Sequence, residues 1–442
     1  MAQTAHPLMP SHDAITPCPT IDGHAAEIVR PVLVELLGPR IALRFEFWDG
    51  SAVSPPETVA TVRISSPDAI RRLLWMPNEV GFCRAYVAGD LDIDGDIFDV
   101  VTALRDAKPA KPVSAMKVLP ALVSASRRLG ARRRPLPPPA EEARLAGRRH
   151  SLRRDSKAVS HHYDVGNAFY RLVLGPTMTY SCARFTDTDS TLEQAQEAKN
   201  EMVCRKLGLH EVAGARLLDV GCGWGSLAIH AAVEHGARVV GVTISSAQAE
   251  LARTRVAEAG VADLVDIRHR DYREVKGETF DAISSIGMSE HVGQAHIDEY
   301  FATLRSMLGP HGRLLNHAIS SVGGSKLGRT SFVSRYVFPD GELVDVGEVV
   351  LAMERAGFEV RDVESLREHY ARTLRAWVAN LEANWDEAAA AASEARAKIW
   401  RLYMAGSAIG FEDGGIGIHQ VLGVIADSTG GAAMPLTRRG WH

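Results

Sequence analysis

The decapeptide LLDVGCGWGS, residues 217–226, constrains the fold of this chain more than any other stretch. An apolar run ends at Asp219, and glycines at 221, 223 and 225 then let the backbone turn tightly against whatever lies in front of it. A regular alternation follows. SLAIHAAVEHG reads as a helix closed by Gly236, RVVGVTI as a strand, and SAQAELARTRVAEAG as a helix closed by Gly260. VDIRHRDYRE, FDAISSIGM and GRLLNHAIS read as further strands, with the helix HIDEYFATLRSML between the last two. Such alternation predicts a mostly parallel sheet covered on both faces, so the expected class is α/β, doubly wound and Rossmann-like. The last hundred residues read mostly as helical additions, as in REHYARTLRAWVANLEANW and EARAKIWRLYMAGSAIGF.

Upstream, the pattern is different. Residues 1–22 are polar and Pro-containing, expected to be a disordered tail, and MAQTAHPLMPSHDAITPCPT lacks the basic and apolar regions of a secretory signal. Residues 23–115 read as a small N-terminal α/β domain: IALRFEFWDG and TVATVRISS as strands, with Ser66-Pro67-Asp68 opening a helix. Its DIDGD resembles half a calcium loop, but Val101 stands where the bidentate Glu belongs, so no metal is expected. His161 and His162 lack a third ligand at useful spacing. Residues 116–157 read as a basic, Pro-rich linker, 158–425 as the main domain and 426–442 as a C-terminal tail. Between Arg127 and Lys157 eleven Lys/Arg stand against three Asp/Glu, a net +8 in a chain whose total is −4. That strip suits an anionic surface or a solvated linker. Five cysteines without C-x-x-C spacing argue against a disulfide framework or a structural zinc site and favour a reducing cytoplasm, and no apolar run reaches the ~20 residues of a membrane helix.

The glycine turn departs from a dinucleotide fingerprint. Ser226 replaces the third glycine, and GVTIS ends the next strand with Thr243 where a ribose-binding Asp or Glu would stand. With Asp219 in front and Trp224 inside, the string resembles the S-adenosylmethionine-binding turn of class I methyltransferases. Asp219, Gly221, Gly223, Trp224 and Gly225 are therefore candidate cofactor residues. Thr243, Gln248, Asp271 and Tyr272 join them because they follow strands at the carboxyl edge of the sheet. Trp224 is equally suited to closing the turn by packing.

SHHYDVGNAFYRLVLGPTMTYSCARF, the glycine turn, GVTISSAQ, RDYRE, GMSEHVG, LLNHAIS and SRYVFPDG together resemble the cyclopropane fatty acid synthase family, nearly continuously from about 158 to 425. Residues 23–115 are more weakly similar to the lipid-docking N-terminal domain of its full-length bacterial members, and the Ala/Arg-rich composition looks actinobacterial. The resemblance implies a cis double bond of a phospholipid acyl chain as methyl acceptor, at the inner face of the cytoplasmic membrane. Such an alkene is a poor nucleophile and must be held in line with the methyl in a dry tunnel. Aromatic faces would stabilise the carbocation, and a base must take one proton. In the family that base is thought to be bicarbonate, implying here Cys182, Glu290, His317, the backbone of Ile319, and Tyr370 as catalytic residues, with Tyr180 and Ser181 at the donor.

Each has a plainer reading. Glu290 could bond at a strand end, His317 could be a satisfied core histidine, and Tyr370 could pack on its helix. Cys182 could be a small buried hydrophobe. Ser407 stands where many members carry a cysteine once regarded as catalytic; chemistry without a covalent intermediate does not need it. Two products remain open: a cyclopropane ring, or a 10-methylene chain that a flavin- or nicotinamide-dependent reductase would convert to 10-methyl (tuberculostearate type). A non-catalytic binding protein and a methyltransferase for small molecules or nucleic acid are weaker alternatives; no RNA-binding motif is present. A homodimer is expected from resemblance alone.

Overall fold

The computed structural model describes residues 24–38, 41–107, 115–129, 134–143, 165–325, 328 and 330–441. The expected tail at 1–22, His161, His162 and residues 144–157 of the expected linker lie outside these.

The main sheet carries strands β5 (Arg216–Val220), β6 (Arg238–Thr243), β7 (Val265–His269), β8 (Phe280–Ile286), β9 (Leu308–Ser321), β10 (Val344–Asp345), β11 (Glu359–Ser365) and β12 (Gly417–Val424). Their order is β11-β12-β9-β8-β5-β6-β7, with β10 beside β9. The run β9-β8-β5-β6-β7 is parallel throughout, as the alternation required. Strands β5 and β6 are buried at every position but the first, which explains their nearly continuous apolar sequence. Helices close as read: Gly236 caps Ser226–His235 in the left-handed region, and Gly260 follows Ser246–Glu258 at φ +70°.

Two elements differ from the sequence reading. VDIRHRDYRE is strand only to His269; Asp271 then accepts the Arg273 N–H and turns the chain into a 3₁₀ turn at Tyr272–Glu274. The C-terminal region is not only helical. Between helices Arg367–Ala383 and Glu394–Glu412 and the chain's end lies β12, antiparallel to both β9 and β11. Its apolar run IHQVLGV is buried at nearly every position because neighbouring strands cover both edges while helices Val346–Arg355 and Arg367–Ala383 pack on it.

The N-terminal unit is a four-stranded sheet, β2-β1-β3-β4, built from β1 (Leu43–Phe47), β2 (Ala52–Val53), β3 (Ala60–Ile64) and β4 (Leu91–Asp94). Ser66 Oγ accepts the Asp68 N–H at 3.0 Å, opening helix Asp68–Trp75 as expected. The boundary read at 115/116 falls instead at the start of a helix, Ala115–Arg128, which packs on helices Ala25–Leu37 and Asp68–Trp75. Leu122, Ala125 and Leu129 are buried there, so this part of the expected linker belongs to the core. Residues 134–143 are pinned too: Glu142 is bidentate to Arg84 at 2.8 Å and also meets Arg335 and Tyr336. The N-terminal core continues into the C-terminal helices, where Glu394–Glu412 packs on Ile97–Asp106. The last residues return to the sheet, with Trp441 buried and Arg438 paired to Asp362 at 3.0 Å.

Candidate active site

A cavity of about 520 Å³ opens at the carboxyl ends of β5, β6 and β8 and runs beneath the C-terminal helices. Its first end is built on the glycine turn. Gly221, Gly223 and Gly225 all have positive φ, and Gly223 faces open space where it lines the cavity. A Cβ on Gly221 would meet Met288 Sδ at 2.6 Å. Gly225 does not line the cavity; it caps helix Ser226–His235 and lies against Ala252. Trp224 does both jobs considered for it: it lines the cavity while its indole N–H donates to Asn167 Oδ1 at 2.9 Å and its ring packs on Tyr170.

The polar groups of this end are tied to one another. Asp219 Oδ1 accepts from Ser284 Oγ at 2.7 Å, and Thr243 Oγ1 donates to Gln248 Oε1 at 2.8 Å. Asp271 is held below the usual carboxylate range: burial opposes its charge, but the Arg273 guanidinium and N–H outweigh that. Tyr272 lies edge-on to Tyr300. Lys199 is a cavity residue that sequence reading missed. It lies on the buried face of helix Leu192–Leu207, and its Nζ donates to Ser181 Oγ at 3.3 Å. Burial pushes Lys199 down to about 8, partly offset by Asp219, and pushes Asp219 up to about 6. Near neutral pH the pair therefore offers one cation and one anion, which suits the carboxylate and ammonium of an amino-acid moiety. Open backbone at Gly223, this pair and the apolar walls fit S-adenosylmethionine.

The other end is assembled from distant segments. Glu290, Ile319 and Tyr370 line the cavity; His317 is buried two residues before Ile319 on β9. Glu290 Oε1 accepts the Ile319 N–H at 2.8 Å, while Oε2 is buried with no partner among the described residues. Burial pushes the Glu290 carboxyl up to about 7 despite that backbone bond. The Ile319 N–H expected to face an ion is thus already engaged by Glu290. Cys182 is fully buried and does not line the cavity; its thiol lies 3.7 Å from the Leu366 carbonyl. That carbonyl also accepts the Tyr370 N–H, so the cysteine stands behind Tyr370's helix.

His317 has its protonation pattern set by residues the sequence did not flag. Lys206 has only protons to give, and its Nζ lies 3.0 Å from Gln420 Oε1. The Gln420 NH₂ must then face His317, directly opposite in the β9–β12 register, at 3.3 Å from Nδ1. The network therefore assigns the ring proton to Nε2, which is buried and unpartnered among the described residues. Burial, with Lys199 and Lys206 nearby, pushes His317 down to about 3, so the ring is neutral. The result is a buried N–H donor without an acceptor among the described residues, two positions before the Ile319 N–H that binds the Glu290 carboxyl.

Aromatic rings connect the two ends. Tyr180 lies 5.2 Å from Trp377 and 5.6 Å from Trp400, Trp400 lies 5.8 Å from Tyr403, and Tyr370 lies 4.8 Å from Phe411. Tyr403 is electrostatically coupled to the Tyr180 and Ser407 hydroxyls, and all three line the cavity. Ser407 thus serves as a polar link in the wall. Such a pocket can hold a cation against ring faces while excluding water.

Residues 150–421 match the family model for mycolic acid cyclopropane synthetase. The chain is 41% identical over 406 residues to a probable fatty acid methyltransferase, Rv3720, of Mycobacterium tuberculosis, covering 89% of this chain and 93% of that one. It is 31% identical over 393 residues to tuberculostearic acid methyltransferase UfaA1 of the same organism, covering 86% and 87%. A crystal structure of mycolic acid cyclopropane synthase CmaA1 complexed with SAH and CTAB superposes with a TM-score of 0.57 at 35% identity, over 61% of this chain and 98% of that one. With a family match across more than half its length and a cavity suited to the methyl donor, the chain is a methyltransferase that belongs to the mycolic acid cyclopropane synthetase family.

Proposed function

We propose that this methyltransferase acts on the cis double bond of an unsaturated phospholipid acyl chain and forms a cyclopropane ring. The observation that carries the reading is the junction, in one aromatic-walled cavity, of a donor pocket with Glu290, whose Oε2 is buried and unpartnered among the described residues. S-adenosylmethionine supplies an electrophilic methyl: the alkene π pair forms the new C–C bond as the C–S bond breaks and its electrons stay on sulfur. The cation left on the neighbouring chain carbon would face Tyr180 and Tyr403, which line the cavity. Loss of a proton from the new methyl then lets the C–H pair close the ring.

A bicarbonate ion would supply the base, held by the His317 Nε2–H, a protonated Glu290 and Tyr370, with Ile319 fixing the Glu290 carboxyl. Cys182 acts one step behind, through Leu366 and the helix of Tyr370. Glu290 and Tyr370 keep water out and hold the ion where the proton leaves. Likeness to UfaA1 supports a second outcome at the same site, loss of a proton from a chain carbon to give a methylene branch for a partner reductase.

The enzyme would reach its substrate as a peripheral protein on the inner face of the cytoplasmic membrane. No described helix is long and apolar enough to cross a bilayer. Trp75 and Leu119 are half exposed on two N-terminal helices that pack together, a suitable lipid-facing pair. The test is expression in a bacterium lacking its own cyclopropanating enzyme, with mass spectrometry of phospholipid fatty acids before and after hydrogenation. A 14-unit mass gain that resists hydrogenation supports the ring, and one that takes up two hydrogens supports the methylene. Unchanged fatty acids would overturn both.

A further inference from the structure

Helices Leu192–Leu207 and Ser226–His235, which bring Lys199, Ser226 and Leu227 to the cavity, pack against each other. Most of that contact is small and apolar, through Val203, Ala228, Ala231 and Ala232. At one point the chemistry changes. Cys204 from the first helix and His230 and His235 from the second bring a thiol sulfur and two imidazole nitrogens within 4.8 Å of one another. Glu201, one turn before Cys204, places Oε2 at 3.1 Å from His230 Nε2 and 2.9 Å from His235 Nε2.

We propose that Cys204, His230 and His235 form a binding site for a divalent transition metal, zinc by preference, with Glu201 at the fourth position. A tetrahedral ion with metal–nitrogen and metal–oxygen bonds of ~2.0–2.1 Å spaces those ligand atoms roughly 3.3 Å apart. The Glu201–imidazole separations are close to that spacing, and the Cys204 thiol lies within 4.8 Å of a ligand nitrogen of each imidazole. One thiolate and two imidazoles select zinc over magnesium or calcium, which prefer oxygen. Burial pushes the Cys204 thiol up, so it holds its proton until a cation displaces it. Access runs from the surface through Glu201, whose side chain is 31% exposed while that of Cys204 is fully buried. Arg205 holds the other Glu201 oxygen at 2.5 Å, orienting the carboxylate.

The position gives the ion a structural role. The first helix carries Lys199 to the donor end, and the second starts at the glycine turn. A metal clip between them fixes two walls of the donor pocket without touching the reaction.

The experiment uses the full chain, stripped with EDTA, reloaded with zinc or cobalt(II) and desalted. About one zinc per chain should remain, and cobalt should give the near-ultraviolet thiolate charge-transfer band together with tetrahedral visible bands. Cys204→Ser and His230→Gln should each lose the stoichiometric ion, and Cys204→Ser the band as well. Cys83→Ser, a buried cysteine of the N-terminal unit, should keep both. Zinc should raise the melting temperature of the wild type and leave that of His230→Gln unchanged. Comparison in EDTA, where all variants are metal-free, separates lost metal from lost fold. Less than about a tenth of an equivalent in the wild type, cobalt without the thiolate band, or undiminished retention in both variants would overturn the site.

Discussion

The two ends of the cavity obey opposite rules. At the donor end four polar pairs are satisfied: Asp219 with Ser284, Thr243 with Gln248, Asp271 with Arg273, Lys199 with Ser181. At the far end Glu290 and His317 each present a buried polar atom without a partner among the described residues. An unmet buried group costs about 1–3 kcal/mol, so the second arrangement persists against its own stability. The first end is set before its ligand arrives; the second is completed by one. Removing a group should therefore damage binding at the first end and turnover at the second.

The largest expected effect is at the far end. On the proposed chemistry, Glu290→Gln and Tyr370→Phe should each lower turnover by about 10²–10³-fold, the range for losing a positioned acid–base or electrostatic group. Donor affinity, by equilibrium titration with S-adenosylmethionine, should stay within about twofold because neither residue belongs to the donor end. Parallel loss of affinity and turnover would erase the contrast between the ends.

The same substitution should stabilise the protein. Burial raises the Glu290 carboxyl from 4.5 to about 7, so the folded state holds a proton through that window while the unfolded state does not. Stability should fall as pH rises from about 4.5 to 7 and then level off, a difference of roughly 3 kcal/mol. Glu290→Gln abolishes that slope. Denaturant unfolding should find the variant close to wild type at pH 4.5 and more stable by up to about 3 kcal/mol at pH 8. An equal difference at both pH values would mean that the carboxyl is not held neutral.

At the donor end the expected change is smaller and of another kind. Lys199→Met keeps the stem of the side chain and removes its charge, which should weaken donor binding about tenfold, the value of one charge-assisted contact. The rate at saturating donor should change by less than about threefold. A loss confined to the saturated rate would move Lys199 from the donor to the reaction.

The asymmetry also governs what was legible in the sequence. The donor end is local: one strand, three glycines and a helix within ten residues, so LLDVGCGWGS announces both the fold and the place of the cofactor. The far end joins residues 290, 317, 319 and 370, which no spacing rule relates, and only resemblance to a family brought them together. Gln420 escaped because its strand was read as part of a helical region, and with it went Lys206 and the tautomer of His317. Lys199 left a usable trace: Gln196, Lys199 and Asn200 fall at i, i+3 and i+4 on the inward face of a helix, where polar residues need a reason. The helix at 115–128 was obscured by the arginines that follow it, since charge at its end outweighed the apolar face that Leu122 and Ala125 bury.

The smallest effect belongs to the residue that links the two ends. Ser407 is coupled to the Tyr403 hydroxyl, which is also coupled to Tyr180 on the donor side and feels the charge of Glu290 on the other. Burial pushes the Tyr403 hydroxyl up to about 12, so it works as a neutral donor and acceptor throughout the working range. Ser407→Cys introduces the thiol that many relatives of this kind were expected to need and replaces a hydroxyl with a weaker hydrogen-bonding group. If the wall only positions rings, turnover should fall by less than about threefold and donor affinity should not move. A clear gain in turnover would instead make the thiol a participant, and the far end would then need a nucleophile as well as an ion. Ser407→Ala separates the two: it deletes the hydroxyl without supplying sulfur, so a rate below that of Ser407→Cys by no more than the same small factor assigns this position to the architecture of the cavity.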